Sequence, residues 1–114
     1  MNMSLADAER VLPKTVITAL QTKKYEYSFY NYPSDTKIHT IRFTKSDKSS
    51  NIYRVVVIHL DAKNVILEGL VYDKNADIVA IQEYKVFIGV INILAKDLVN
   101  SVNTIISKLD KYSV

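Results

Sequence analysis

Cysteine is absent from the chain, and glycine occurs only at Gly69 and Gly89. The first absence excludes disulfides, thiolate catalysis and cysteine-held metals. The second excludes glycine-rich phosphate loops of the dinucleotide or Walker type, which need several glycines close together. No apolar run approaches the roughly 18–20 residues of a membrane-spanning helix, so no membrane partner is expected. The first ten residues, MNMSLADAER, carry two acids and no apolar block. No signal peptide is therefore expected there, and the cytoplasm is the default compartment.

What is present suits one soluble domain, residues 1–114, with 48% apolar residues to build a core. Ser4 can cap a first helix, with Asp7 in its first turn. Leu5, Ala8, Leu12, Val16, Ile17 and Leu20 continue at helical spacing to about residue 22, interrupted at Pro13. The period then changes to two. Strands are expected over residues 24–30, 37–45, 52–60, 65–72 and 78–86, joined by short polar turns that favour an antiparallel meander. From Ile88 the helical period returns through Ile91, Ala95, Leu98, Val102, Ile105, Leu109 and Tyr112. That predicts an amphipathic helix of roughly 24 residues, about 36 Å long. Its stripe suits either the domain's own sheet or a coiled-coil seam. The expected fold class is α+β: a five-stranded antiparallel sheet, an N-terminal helical region and a long C-terminal helix on one face.

Alternation sorts the strand residues onto two faces if the registers are regular. One face collects Ile41, Phe43, Val56, Ile58, Leu60, Val65, Leu67, Val71, Val79 and Ile81 and should lie under the helices. The other collects Tyr25, Tyr27, Phe29, Thr40, Arg42, Tyr53, Val55, Val57, His59, Glu68, Leu70, Tyr72, Gln82 and Tyr84. A single β-bulge would exchange the faces beyond it. The tyrosine-rich face has three readings: a solvated surface, a subunit interface, or a platform on which unpaired bases stack.

Net charge is +3, but residues 10–54 hold nine cations against three acids. Such asymmetry suits a polyanionic partner. A single-stranded nucleic acid would be followed by Lys23, Lys24, Lys37, Lys45 and Lys48, with Arg42, Tyr25, Tyr27 and Tyr53 stacking on bases. Catalytic chemistry has little support. His39 and His59 are the only histidines, are expected on opposite faces, and read as structural. Ser46, Ser49 and Ser50 lie in a turn without a neighbouring base. Asp73 and Asp77 read as turn formers. No catalytic residue, metal, cofactor or small-molecule ligand is expected.

The chain is rich in Lys, Ile, Tyr and Asn, with twelve lysines against three arginines, residues that have adenine- and thymine-rich codons. In size and composition it resembles small proteins of the rod-shaped DNA viruses that infect hyperthermophilic archaea. That resemblance implies a viral protein acting in host cytoplasm, in nucleic-acid binding or protein assembly. Central strands that are apolar on both faces, with helices for only one, lead to the main expectation: a non-catalytic, homodimeric assembly or protein-interaction module. Single-stranded nucleic-acid binding is the alternative.

Overall fold

A computed structural model describes residues 3–47 and 49–113, with the side chain of Asn92 left aside. The described residues form helices α1 (Leu5–Val11), α2 (Lys14–Thr22) and α3 (Ile91–Lys111) and strands β1 (Glu26–Asn31), β2 (His39–Asp47), β3 (Ile52–Leu60), β4 (Asn64–Asp73) and β5 (Ile78–Ile88). The strands pair in sequence order as one antiparallel meander. The expected α+β fold is what is found.

Local chemistry explains the boundaries. Ser4 and Asp7 form a reciprocal capping box at α1. Pro13, which lacks an N–H, separates α1 from α2, and its carbonyl accepts from the Val16 and Ile17 amides in the first turn of α2. At the end of α2, Tyr25 N donates to Leu20 O and Lys24 N to Gln21 O, each at 3.0 Å. This is a Schellman closure, with Lys24 in the left-handed region at φ 68°. Strand β5 runs two residues further than expected. Gly89, at φ 146°, then turns the chain into α3, which is three residues shorter than the roughly 24 read from the periodicity.

One sheet face lies under the helices. Ile41, Phe43, Val56, Ile58, Leu60, Val65, Leu67 and Val71 form a single core with Leu12, Val16, Ile17 and Leu20 and with Leu98, Val102, Ile105, Ile106 and Leu109. The α3 stripe is therefore spent on its own sheet rather than on a coiled coil. Each such fully buried aliphatic side chain contributes about 1.5–3 kcal/mol of hydrophobic stabilisation. Gly69 lets α3 come close, because a Cβ there would stand 2.6 Å from Ile105 Cγ2.

Three irregularities correct the expected faces. The β1–β2 register shifts at Ser28, so Tyr27 opposes Phe43 while Phe29 opposes Arg42. Tyr25 and Tyr27 thus lie on the helix side and only Phe29 lies on the open side. In β5 the register shifts at Gln82 and again at Val79. Ile81 consequently opposes Leu70 on the open face and is 65% exposed, not buried under the helices. Ala80, opposite Val71, takes the core-side place instead. Val79 falls in the second irregularity and is 45% exposed.

Candidate interaction surface

The second sheet face is set by strict alternation through β2, β3 and β4. Thr40, Arg42 and Thr44 pair with His59, Val57 and Val55, which in turn pair with Ile66, Glu68 and Leu70. Val55, Val57 and Leu70 form a small buried cluster of their own, with Tyr72 against it. None of the described helix residues joins that cluster. Larger neighbours on the sheet shield these three from solvent, but the neighbours themselves stay open. Tyr53, Ile78, Ile81, Tyr84, Val86 and Ile88 are 42–84% exposed.

The face divides in two. Toward β1 and β2 it is polar and aromatic. The Arg42 guanidinium lies 4.7 Å from the Phe29 ring centroid. Arg42, Phe29, Tyr53, Tyr72 and Lys74 line an open depression of about 350 Å³. Toward β4 and β5 it is apolar. Ile38, Ile66, Tyr84, Val86 and Ile88 line a second depression of about 460 Å³, whose wall also includes His59, Asp61, Asn64 and Glu68. From β3 to β5 the described strand side chains on this face carry one carboxylate, Glu68. His59 Nε2 shares a hydrogen bond with Glu68 Oε2 at 3.2 Å, and His59 Nδ1 shares one with Thr40 Oγ1 at 3.1 Å. This chain satisfies three polar groups inside an apolar neighbourhood. Alternation already puts His59 and Glu68 on one face, but their contact is diagonal across two strands, which sequence spacing does not reveal.

Most of the residues expected to hold a nucleic acid are placed elsewhere. Arg42 and Tyr53 lie on the open face. Tyr25 is fully buried on the helix side and donates to Asp110 Oδ1 at 2.8 Å. Burial, reinforced by that carboxylate, pushes its phenol far above the ordinary range. The Tyr27 hydroxyl donates to the Met3 carbonyl, and its ring meets Phe43 edge-on at 6.3 Å. Lys45 is also on the helix side, 3.3 Å from Asp110 and 5.5 Å from the Tyr25 ring centroid. Lys23 borders α3 beside Asn103 and Ser107. Lys24 follows in the turn after α2, and Lys37 sits in the β1–β2 loop at φ 55°. Lys48 lies outside the described residues. Among the described residues no continuous track of cations joins these positions across the tyrosine-bearing face.

Two further side chains do work that the sequence pattern did not announce. Arg54, a cation in the middle of an apolar strand, is 7% exposed. Its Nε donates to Leu109 O at 2.8 Å, Nη2 to Tyr112 O at 2.9 Å and Nη1 to Asp47 Oδ2 at 3.1 Å. It thus satisfies carbonyls at the C-terminal end of α3, where a cation is favoured. His39, on the face opposite His59, stacks under Tyr32 with centroids 4.0 Å apart and shares a hydrogen bond with the Tyr30 hydroxyl. Burial holds its pKa below the ordinary histidine value. Among the described residues no three His, Asp or Glu side chains converge as a metal site would require, and no helix is long and apolar enough to cross a membrane. No family model matches the chain, and no curated protein and no solved structure is found similar to it.

Proposed function

We propose that the chain is a non-catalytic assembly module that self-associates as a homodimer through the uncovered half of its sheet, β4 and β5. One observation carries the reading. A separate hydrophobic cluster, Val55, Val57 and Leu70, lies on a face that no described helix covers, and beside it Ile81, Tyr84, Val86 and Ile88 stand 54–84% exposed. Apolar residues collected in this way, with charge depleted, have the composition of an interface core rather than of a solvated face. A symmetric pair is the commonest way for one chain to cover such a surface. The proposed setting is intracellular, with no cofactor or small ligand.

Static light scattering at micromolar concentration tests this. A dimer mass is expected, and Ile81→Lys, at a site already facing solvent in the monomer, should shift it to monomer while leaving the unfolding free energy measured at sub-micromolar, monomeric protein unchanged. The competing reading is a base-stacking platform around Arg42, Phe29, Tyr53 and Tyr72. It requires single-stranded oligonucleotide binding at low salt that falls steeply with added salt and is lost in Arg42→Ala. Binding of that kind by a monomeric wild type would replace the dimer reading.

A further inference from the structure

The cross-strand registers line up one row of side chains over the full width of the open face. Phe29 opposes Arg42, Arg42 opposes Val57, Val57 opposes Glu68 and Glu68 opposes Tyr84. The bulged positions, Ser28 in β1 and Gln82 in β5, lie outside this row. The row is symmetric in kind about its middle: an aromatic ring, a charge, Val57, the opposite charge, an aromatic ring. Val57 itself belongs to the buried apolar cluster of this face. From β2 to β5 the described strand side chains on this face carry one cation, Arg42, and one carboxylate, Glu68, to which His59 is bonded. Glu26 faces the same side from the start of β1, at the rim. Among the described residues Arg42 forms no ion pair, and its exposed guanidinium rests over the Phe29 ring. Neighbouring strands lie about 4.8 Å apart, so the backbones of Arg42 and Glu68 stand about 10 Å apart, with Val57 midway.

We infer that the second copy docks face to face on this row, with the two-fold axis running along β3 at Val57, so that Arg42 of each copy pairs with Glu68 of the other. This contact rests on the dimer reading above and gives it a geometry. The two-fold axis of a face-to-face pair lies between the sheets and parallel to them, because it must turn one open face toward the other. In projection it reflects each copy across the axis line. Arg42 lands over the partner's Glu68 only when that line bisects the distance between the two residues at right angles, which places it along β3 through Val57. Other axes leave the charges unmatched. An axis along β4 sets Glu68 over Glu68, and one along β2 sets Arg42 over Arg42. An axis running across the strands through the row sets every charge over its own copy. Like charges face to face and unpaired charges in an apolar contact are both costly. With the axis along β3, Phe29 covers the partner's Tyr84, Val57 meets Val57, and the aromatic half of each copy lies over the apolar half of the other. The β4–β5 residues that stand open in one chain are thereby covered. Stacked sheets lie about 10 Å apart with their strands within about 30° of alignment, a gap that an arginine and a glutamate side chain span together. Glu68 Oε2 is held by His59, which leaves Oε1 for the partner's guanidinium. The guanidinium over Phe29 keeps its N–H groups for a carboxylate.

Charge reversal in separate full-length chains tests the pairing. Arg42→Glu alone brings two carboxylates together at each contact, and Glu68→Arg alone brings two guanidinium groups together. Each variant is expected to raise the dimer dissociation constant about tenfold or more in sedimentation equilibrium. An equimolar mixture of the two is expected to regain the dimer mass at wild-type concentrations, because every mixed pair holds two opposite-charge contacts. No interaction within one chain gives that recovery. Circular dichroism at sub-micromolar protein shows whether each variant is folded. Should Glu68→Arg fail to fold, Glu68→Gln keeps the side-chain shape and the His59 contact. Added to Arg42→Glu, it removes the facing carboxylate and should lower the dissociation constant about tenfold relative to Arg42→Glu alone. A dimeric wild type whose folded variants are weakened but recover neither on mixing nor with Glu68→Gln overturns the axis assigned here. Variants that dimerise as tightly as the wild type overturn the docking of this row while leaving self-association intact. A wild type that is monomeric at every concentration overturns both.

Discussion

The two faces of this sheet carry similar amounts of valine, isoleucine and leucine but have opposite fates. On the helix side, Ile41, Phe43, Val56, Ile58 and Leu67 are at most 1% exposed. On the other side, Val55, Val57 and Leu70 reach 3–6% exposure only because neighbouring sheet side chains lean over them, and Ile81 and Ile88 remain at 65% and 84%. Apolar content alone therefore does not tell a core from a surface awaiting a partner. Coverage does: α3 spans one face, and the described residues supply nothing equivalent for the other.

The largest difference should appear on truncation. Phe43→Ala or Ile105→Ala is expected to cost about 2–5 kcal/mol, since each leaves a cavity in a packed interior. Ile81→Ala should change the unfolding free energy of the monomer by about 0.5 kcal/mol or less. Urea titrations at sub-micromolar protein separate the two, and a core-sized loss at Ile81 would mean that the open face is covered after all. Next is the close approach of α3. Gly69→Ala is expected to cost about 1–3 kcal/mol by overpacking. Its combination with Ile105→Ala should cost less than the sum, because the clash is with the removed Cγ2.

Arg54→Met is expected to lose about 1–3 kcal/mol, because the carbonyls of Leu109 and Tyr112 lose their donor. The same cluster has a pH signature. The Asp47 carboxyl is held far below the usual carboxylate range, first by the Ser49 hydroxyl and further by Arg54. A carboxylate with a depressed folded-state pKa stabilises fully above its unfolded value of about 4 and loses that contribution as the pH falls further. His39, depressed by burial, acts in the same direction higher up, destabilising progressively as the pH drops below about 6.5. Denaturation midpoints between about pH 8 and 3 should therefore fall, with Asp47→Asn flattening only the lower part. The smallest effect concerns the turns. Lys24 and Ala76 sit at φ 68° and 64°, where a side chain is disfavoured, so Lys24→Gly or Ala76→Gly should raise stability by about 0.5–1 kcal/mol in a thermal melt.

The fold was legible where the signal is local. The change of period from helical to two and back located every element. Ser4 with Asp7 and Pro13 marked boundaries by their own backbone chemistry, and the Leu98–Val102–Ile105–Leu109 stripe identified the helix that covers the sheet, although its start, read at Ile88, lies beyond the turn at Gly89. The candidate site was legible only in outline. Bulges at Ser28 and Gln82 are choices of register between strands, and each moved residues to the other face: Tyr25 and Tyr27 inward, Ile81 outward. Position along the chain groups the lysines, whereas folding sends Lys45 to Asp110 and Lys23 to the side of α3. Arg54 could have been suspected, since a cation inside the run IYRVVVIHL must find partners if buried. The two carbonyls it serves are 55 and 58 residues away, beyond any local pattern.

Sedimentation equilibrium of the unmodified chain, from sub-micromolar to about 100 micromolar, tests the central claim most directly because it needs no variant and no ligand. The expected result is a concentration-dependent mass rising from 13.0 kDa to twice that value and levelling there, as a closed two-fold pair requires. A mass that stays at 13.0 kDa throughout would contradict self-association, and the open face would then have to be read as a solvated surface or as the site of a different partner.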